Sequence, residues 1–467
     1  MDKTVSGEHF VAFETAEGVH VRATVLRLSR DVVAFELYSP AVQLKASEVI
    51  KEFEIRCGDK VHYGGRAVIT QLVKSGSTVV CEAGLGDSWI DIDFGAMESL
   101  GSQFDQMLGH WQSEYRIAAE YKLVVADMQS FLLELRSWLE QVELGIRAAP
   151  SADRIELENR IVTSLEPAIM PCLDALFEKF ESVAATIDPE REASHWKYMR
   201  RHLHPLVMCS PFAYRTFQKP LGYAGDFEMV SMMTRPPYEG STLYSKVLNV
   251  WFLRQMPAQA HRNRISFLEK SLLTESLRVS RNAKRPTRIL NIGCGPAAEV
   301  QAFVSKNEGM QDPHVTLIDF NEETLQYARD QFRQVGSRLG RTLPIKFEKK
   351  SVHSMLKEAG RMVELPPERQ FDFVYCAGLF DYLPDVVCQR LVPVFYSWVA
   401  PGGLLLITNV DPSNPIKHGM EHLLDWHLIY RGSREAARWK PEGVANDHFL
   451  VIAESTGVNI FVELRKP

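Results

Sequence analysis

The chain has 467 residues, 45% of them apolar and 24% charged, with 28 glycines and 24 prolines. That composition suits a folded chain of about three domains and excludes a disordered, collagenous or low-complexity protein. The formal net charge of −6 lacks the broad basic footprint of a nucleic-acid binder, and no apolar run approaches the ~20 residues that span a bilayer. The N-terminal stretch has no apolar h-region, so no signal peptide is expected. The seven cysteines are odd in number and form no C-x-x-C pair. They fit free thiols in a reducing compartment better than disulfides or a zinc site. The expectation is a cytoplasmic protein without a metal.

Residues 1–95 read as a small β-barrel or sandwich. Short runs rich in Val, Ile and Phe, such as 19–26, 33–38 and 67–73, are punctuated by Gly, Asp and Ser. Residues 96–205 read as amphipathic helices. Leu123, Val124, Met128, Phe131, Leu132, Leu135, Trp138 and Leu139 recur at helical spacing. Breaks are predicted near 149–151 and 187–189, with Ser151 as a helix N-cap. Residues 206–284 read as a helical lead-in and cap. A loop rich in Pro, Gly and aromatics (211–226) precedes helices over 242–256 and 260–273. From 285 to 467 strands alternate with helices, which predicts an α/β fold with a parallel sheet. No internal repeat is visible.

The informative stretch is 288–299, a short apolar strand that runs into Gly293-Cys294-Gly295 and then a helix. Glycine permits positive φ and close approach of a ligand to the backbone. The helix N-terminus behind it offers free N–H groups. The turn also satisfies G-x-G-x-x-A through Ala298. A second apolar strand, 315–319, ends in Asp319 about 20 residues downstream, where an acid accepts hydrogen bonds from a ribose diol. Asn321 is the better candidate to cap the next helix. A dinucleotide or S-adenosylmethionine would suit this geometry. The rest of the chain discriminates: 371–384 reads as a fourth strand with its loop, 399–408 as a Pro-Gly-Gly turn into a fifth, and 447–464 as a terminal antiparallel hairpin.

A parallel sheet closed by such a hairpin resembles the class I S-adenosylmethionine-dependent methyltransferases. The G-x-G turn, the acid after strand two, the D-x-V-x strand four and the PGG strand five carry the resemblance over about 285–467. Asn291 departs from the pattern, since many members have an acid there. The resemblance implies that Gly293, Cys294 and Gly295, with Asn291 before them, line the cofactor's amino-acid end. It implies that Asp319 binds the ribose and Phe320 packs on the adenine. Ser351 and Val352 would flank the adenine edge, and Cys376 and Ala377 would lie beside the sulfonium. For Cys294 and Cys376 packing is favoured over thiol chemistry.

In such sheets ligands enter at the carboxyl ends of the strands, so the insert 409–431 and the preceding helices should build the acceptor pocket. His418, His422, Trp426 and Tyr430 follow one another at intervals of four, with Arg431 adjoining. The run Gly222 to Glu228, the G-C-G-P-A-x-E turn and the terminal T-G-V-N hairpin resemble the bacterial 3-hydroxypalmitic acid methyl ester biosynthesis enzymes, which make a quorum-sensing signal. That implies O-methylation of a small acyl substrate, a 3-hydroxy fatty acid. Arg264 or Arg431 would orient its carboxylate, whereas an acceptor of higher pKa would use His418 or His422 as base. Residues 1–95 resemble a degenerate PilZ barrel, the module that can bind cyclic di-GMP. Arg27 and Val32 replace two residues of its D-x-S-x-x-G motif and only Ser29 remains. Docking or self-association is the expected role, with a homodimer and transient membrane contact as the partners envisaged. The competing readings are a non-catalytic cofactor sensor and a nicotinamide-dependent oxidoreductase.

Overall fold

The N-terminal strands alternate buried and exposed side chains, as a sheet with one dry face requires. In β2 (His20–Leu28), Val21 and Ala23 point inward while His20, Arg22 and Thr24 point out. With β1 (His9–Glu14), β3 (Val32–Leu37), β4 (Val49–Cys57), β5 (Lys60–Ser75) and β6 (Thr78–Leu85) it closes an antiparallel barrel in the order β1-β2-β3-β6-β5-β4. Closure removes unpaired edges. Phe13, Phe35 and Phe53 fill the interior, with ring centroids 5.3 to 5.9 Å apart. The computed structural model describes residues 9–15, 18–29, 31–37, 44–57, 60–75, 78–86, 101–102, 104–105, 108–109, 117–146, 151–307, 309–359 and 365–467.

Helices α1 (Ala119–Ile146), α2 (Ser151–Ala184) and α3 (Glu192–Val207) follow. Residues 147–150, on which part of one expected helix break falls, lie outside the described residues. The core stripe of α1 is Tyr121, Val124, Val125, Met128, Leu132, Leu135 and Leu139. Leu123 and Trp138 fall one position off that stripe and stay 58% and 51% exposed, so they do not belong to the core periodicity. Next come α4 (Pro211–Gln218), α5 (Phe227–Met232), α6 (Leu243–Arg254) and α7 (Met256–Ala283). Asp226 caps α5 by accepting the Met229 N–H at 2.8 Å, and Thr242 and Ser245 form a capping box on α6. Every residue of α6 from Leu243 to Leu253 is buried, which makes it the central post of the helical region.

The C-terminal sheet holds β7 (Arg288–Ile292), β8 (His314–Asp319), β9 (Ile345–Lys349), β10 (Phe371–Cys376), β11 (Val399–Val410), β12 (Phe449–Ala453) and β13 (Asn459–Arg465). Its order is β12-β13-β11-β10-β7-β8-β9. The five strands β7 to β11 run parallel, and β13 enters antiparallel between β11 and β12. Helices α8 (Ala298–Lys306), α9 (Glu322–Leu339), α10 (Val352–Ala359) and α11 (Asp385–Ser397) connect the strands, with an apolar layer on each face of the sheet. The order in which strands are added reverses at β7, with β8 and β9 on one side and β10 and β11 on the other, so a crevice opens where β7 and β10 end. Helix α12 (Lys417–Leu424) lies in the insert after β11. The architecture is the expected α/β sheet, preceded by helices and a closed barrel. No described helix is long and apolar enough to cross a membrane.

Candidate active site

The turn after β7 is held open by backbone conformation. Gly293 and Gly295 adopt φ of +68° and +52°, a region that L side chains avoid. Nothing lies within 4 Å of where a Cβ on Gly295 would stand, so its backbone faces open space. The N–H groups of Gly293 and Cys294 both donate to Ile318 O at 2.9 Å and bind the turn to β8. Asp319 ends β8. Its Oδ2 accepts the Gly295 N–H at 3.2 Å and its Oδ1 the Asn321 N–H at 3.0 Å. Burial pushes its carboxyl up, opposed by those N–H groups and by Lys45. Asn321, not Asp319, caps α9 by accepting from Thr324. Asn291 Nδ2 donates to Glu299 Oε1 at 3.0 Å, and Tyr375 Oη donates to the same oxygen at 2.7 Å. A carboxylate in the first turn of α8 thus stands beside Asn291 at the end of β7. Burial raises that carboxyl too.

The barrel supplies a second wall. Between β3 and β4, Ala46 N–H donates to Tyr382 O at 3.1 Å, Val49 N–H to Gly222 O at 2.7 Å, and Ser47 Oγ to His427 O at 2.8 Å. These bonds set Lys45 Nζ 4.0 Å over the Phe320 ring, whose other neighbour is the Tyr223 ring at 5.0 Å. Tyr382 Oη accepts the Trp426 indole N–H at 3.1 Å. Gly225, at φ +76°, lies so close that a Cβ would fall 2.7 Å from Tyr382 Oη.

The third wall carries charge. Arg264 Nη2 donates to His261 Nδ1 at 2.8 Å, and Nη1 lies 3.9 Å from Asp381 Oδ2. Gly378, at φ +98°, leaves room for that guanidinium, since a Cβ would come within 3.3 Å of Nη1. Asp381 Oδ1 accepts the Val410 N–H at 2.8 Å, and burial pushes its carboxyl up to about 6 against the pull of Arg264. Asn459 Oδ1, also on the cleft, is buried without a hydrogen-bond partner. From the cleft an apolar recess runs past Met233, Pro257, Met420 and Trp426 toward Phe177 and Trp251.

Asn291, Gly293, Cys294, Gly295, Asp319, Phe320, Ala377 and Arg264 therefore share one cleft. Ser351, Val352 and Cys376 do not line it. Val352 and Cys376 pack in the core beside the sheet, and Ser351 Oγ accepts the Ser354 N–H at the start of α10. Burial raises both the Cys294 and Cys376 thiols, which suits packing rather than nucleophilic chemistry. His418, His422 and Arg431 also lie off the cleft, contrary to the expectation. Helix α12 turns Met420, Leu423 and Leu424 toward the recess, which puts His418 and His422 on another face. Arg431 is fully buried. It donates to Phe380 O, Leu383 O, Asn409 Oδ1 and Asp385, and so pins the loop after β10. Lys45 and His261 come from separate segments with no local motif, whereas Tyr223 lies in the run 222–228 that carries the resemblance, which by itself assigned it no role. Glu299 had a visible signal, an acid in the first turn after the glycines.

The residues present fit S-adenosylmethionine. The open glycine turn and an acid at the end of β8 suit its amino-acid end and ribose, and the Phe320 ring offers an aromatic face. Residues 289–403 match the family model for a methyltransferase domain. No curated protein matches the chain. Similar solved structures include a possible exported protein of Bordetella parapertussis, 18% identical, with 55% of this chain and 86% of that one covered and a TM-score of 0.39. Another is the magnesium protoporphyrin IX methyltransferase of Synechocystis PCC 6803 with bound S-adenosylmethionine, at 10%, 45%, 84% and 0.31 respectively. The N-methyltransferase NodS of Bradyrhizobium japonicum WM9 with S-adenosylhomocysteine gives 15%, 54%, 99% and 0.30. Within the C-terminal sheet, residues 289–403 are a class I S-adenosylmethionine-dependent methyltransferase domain, and S-adenosylmethionine is its cofactor.

Proposed function

We propose that the protein methylates the carboxylate of a 3-hydroxy fatty acid, giving a methyl ester of the kind used as a quorum-sensing signal. The observation that carries this reading is the apolar recess that leaves the cleft beside Met420 and Trp426 and is walled by Phe177, Phe212 and Trp251. An acyl chain suits its apolar lining, and the recess, small in this structure, would widen to take a long one. The acyl carboxylate suits Arg264, which stands at the cleft against Gly378. Gly293, Gly295, Asp319 and Phe320 would hold the cofactor, which supplies an electrophilic methyl group when bound. A carboxylate is already ionised at pH 7, so no base is needed. The protein's work is alignment and exclusion of water. Asp381 favours a second reading, an acceptor hydroxyl or amine deprotonated by that carboxylate.

The test begins with calorimetric titration of S-adenosylmethionine into wild type and Asp319→Ala. Micromolar binding lost in the variant is expected. Turnover follows with 3-hydroxy fatty acids of graded length, read as S-adenosylhomocysteine and methyl ester. Ester formation that improves with chain length supports the acyl reading. Cofactor binding without turnover on any acceptor would make the domain a sensor.

A further inference from the structure

Two histidine nitrogens on α12 lack partners. His422 is fully buried; its Nδ1 meets Tyr121 Oη at 2.9 Å, while its Nε2 makes no hydrogen bond. One turn earlier, His418 leaves Nδ1 unpartnered. Glu192, the first residue of α3, brings a carboxylate to the same spot. One ligand atom from each of the three lies within 4.8 Å of the others, the one such group among the described residues. Buried polar atoms are nearly always paired. Two imidazoles, each with one unpartnered nitrogen, thus stand with one carboxylate at a spacing that an ion could bridge.

We propose that Glu192, His418 and His422 bind a divalent transition-metal ion of the zinc class. Two imidazoles and one carboxylate suit zinc, whereas calcium and magnesium demand oxygen ligands. In the tautomer where His422 Nδ1–H donates to Tyr121 Oη, Nε2 keeps a lone pair free to bind an ion, the hydrogen-bonded arrangement common to metal-bound histidines. Two neighbouring groups are otherwise engaged. His195 Nδ1 bonds to Arg191 O and its Nε2 accepts the Ala118 N–H. The Glu181 carboxylate accepts the His418 and Gly419 backbone N–H groups, which fixes the start of α12. Three protein ligands leave a position for water. The ion fastens α12 to α3, and Met420 and Leu423 on another face of α12 line the acyl recess. That consequence rests on the acceptor reading above; binding of the ion does not.

The test uses full-length protein stripped with a chelator and titrated with Zn2+ by calorimetry, with Co2+ absorption as a second readout of coordination. Wild type should take up one ion per chain and gain thermal stability. Glu192→Gln and His418→Gln, at half-exposed positions that tolerate a polar isostere, should each weaken binding roughly tenfold or more with an unchanged circular dichroism spectrum. Cys209→Ser, an exposed thiol away from the cluster, should bind as wild type does. Absence of stoichiometric binding by folded wild type, or undiminished affinity in the Glu192→Gln/His418→Gln double variant, would overturn the proposal. S-adenosylmethionine titration of the same samples keeps the readings apart: zinc uptake upholds the metal site whether or not the cofactor binds.

Discussion

Asp319 and Gly225 do different work at one cleft, and each can be tested alone. Asp319 orients the glycine turn by accepting the Gly295 N–H, and its remaining lone-pair directions would serve a ribose in the proposed cofactor placement. Gly225 acts by having no side chain. In Gly225→Ala the left-handed backbone adds about 1–2 kcal/mol of strain, and the new methyl meets Tyr382 Oη at 2.7 Å. The expected outcome is a roughly tenfold loss of S-adenosylmethionine affinity in calorimetry, with the helical content unchanged. Asp381 gives the pH signature. Its carboxyl, raised to about 6 by burial, is protonated below that pH and ionised above it. With a carboxylate acceptor, kcat/KM should show no base-dependent rise through pH 6. With a hydroxyl or amine acceptor, it should rise through about 6 and lose that limb in Asp381→Asn.

At the scale of elements, the placement of α12 depends on its last cap. Asp425 closes the helix in the left-handed conformation at φ 55° and is buried. Its carboxylate meets Arg200 from α3 at 3.1 Å, Arg66 from β5 at 3.5 Å, Lys219 after α4 at 3.7 Å and His427 at 3.2 Å. One acid therefore joins barrel, helical region and insert. Burial alone would raise this carboxyl; Arg200, Lys219 and His427 outweigh it and hold it well below the usual range. A depressed folded pKa contributes stability above the unfolded value near 4, lost as pH falls through the folded one. Asp425→Asn keeps the left-handed backbone but leaves buried cations unpaired, at about 3–5 kcal/mol. Urea unfolding at pH 7 should show that loss, and the gap to wild type should narrow as the pH drops below about 4.

For the whole molecule, the consequential feature is that a barrel remote in sequence completes the cleft beside the glycine turn. The loop that carries Lys45 is hydrogen-bonded to Tyr382, Gly222 and His427, so the barrel cannot shift without moving that wall. Lys45→Ala removes the cation over Phe320, worth about 1 kcal/mol. It should weaken S-adenosylmethionine binding several-fold in calorimetry while leaving the barrel's near-ultraviolet circular dichroism intact. Unchanged affinity would reduce the barrel to a neighbour of the site.

What the sequence determined by itself lies where the physics is local. A strand, two glycines and a helix start within 288–299 specify a turn that needs positive φ, and Asp319 follows as the acid ending the next strand. The strand alternation, the helical stripe of α1 and the terminal hairpin were readable for the same reason, because period and turn chemistry are set by near neighbours. Tertiary structure alone decided which distant segments met. Lys45 and His261 carry no mark of the cleft in their surroundings, and nothing near Glu192 announces His418 and His422. The insert shows the limit most plainly. Its histidines and Arg431 look like acceptor ligands by composition, but the rotation of α12 turns Met420 and Leu423 to the recess instead. That rotation is fixed by groups such as Asp425, which meets Arg66, Arg200 and Lys219, and Glu181, which meets His418 and Gly419, all of them partners hundreds of residues away along the chain.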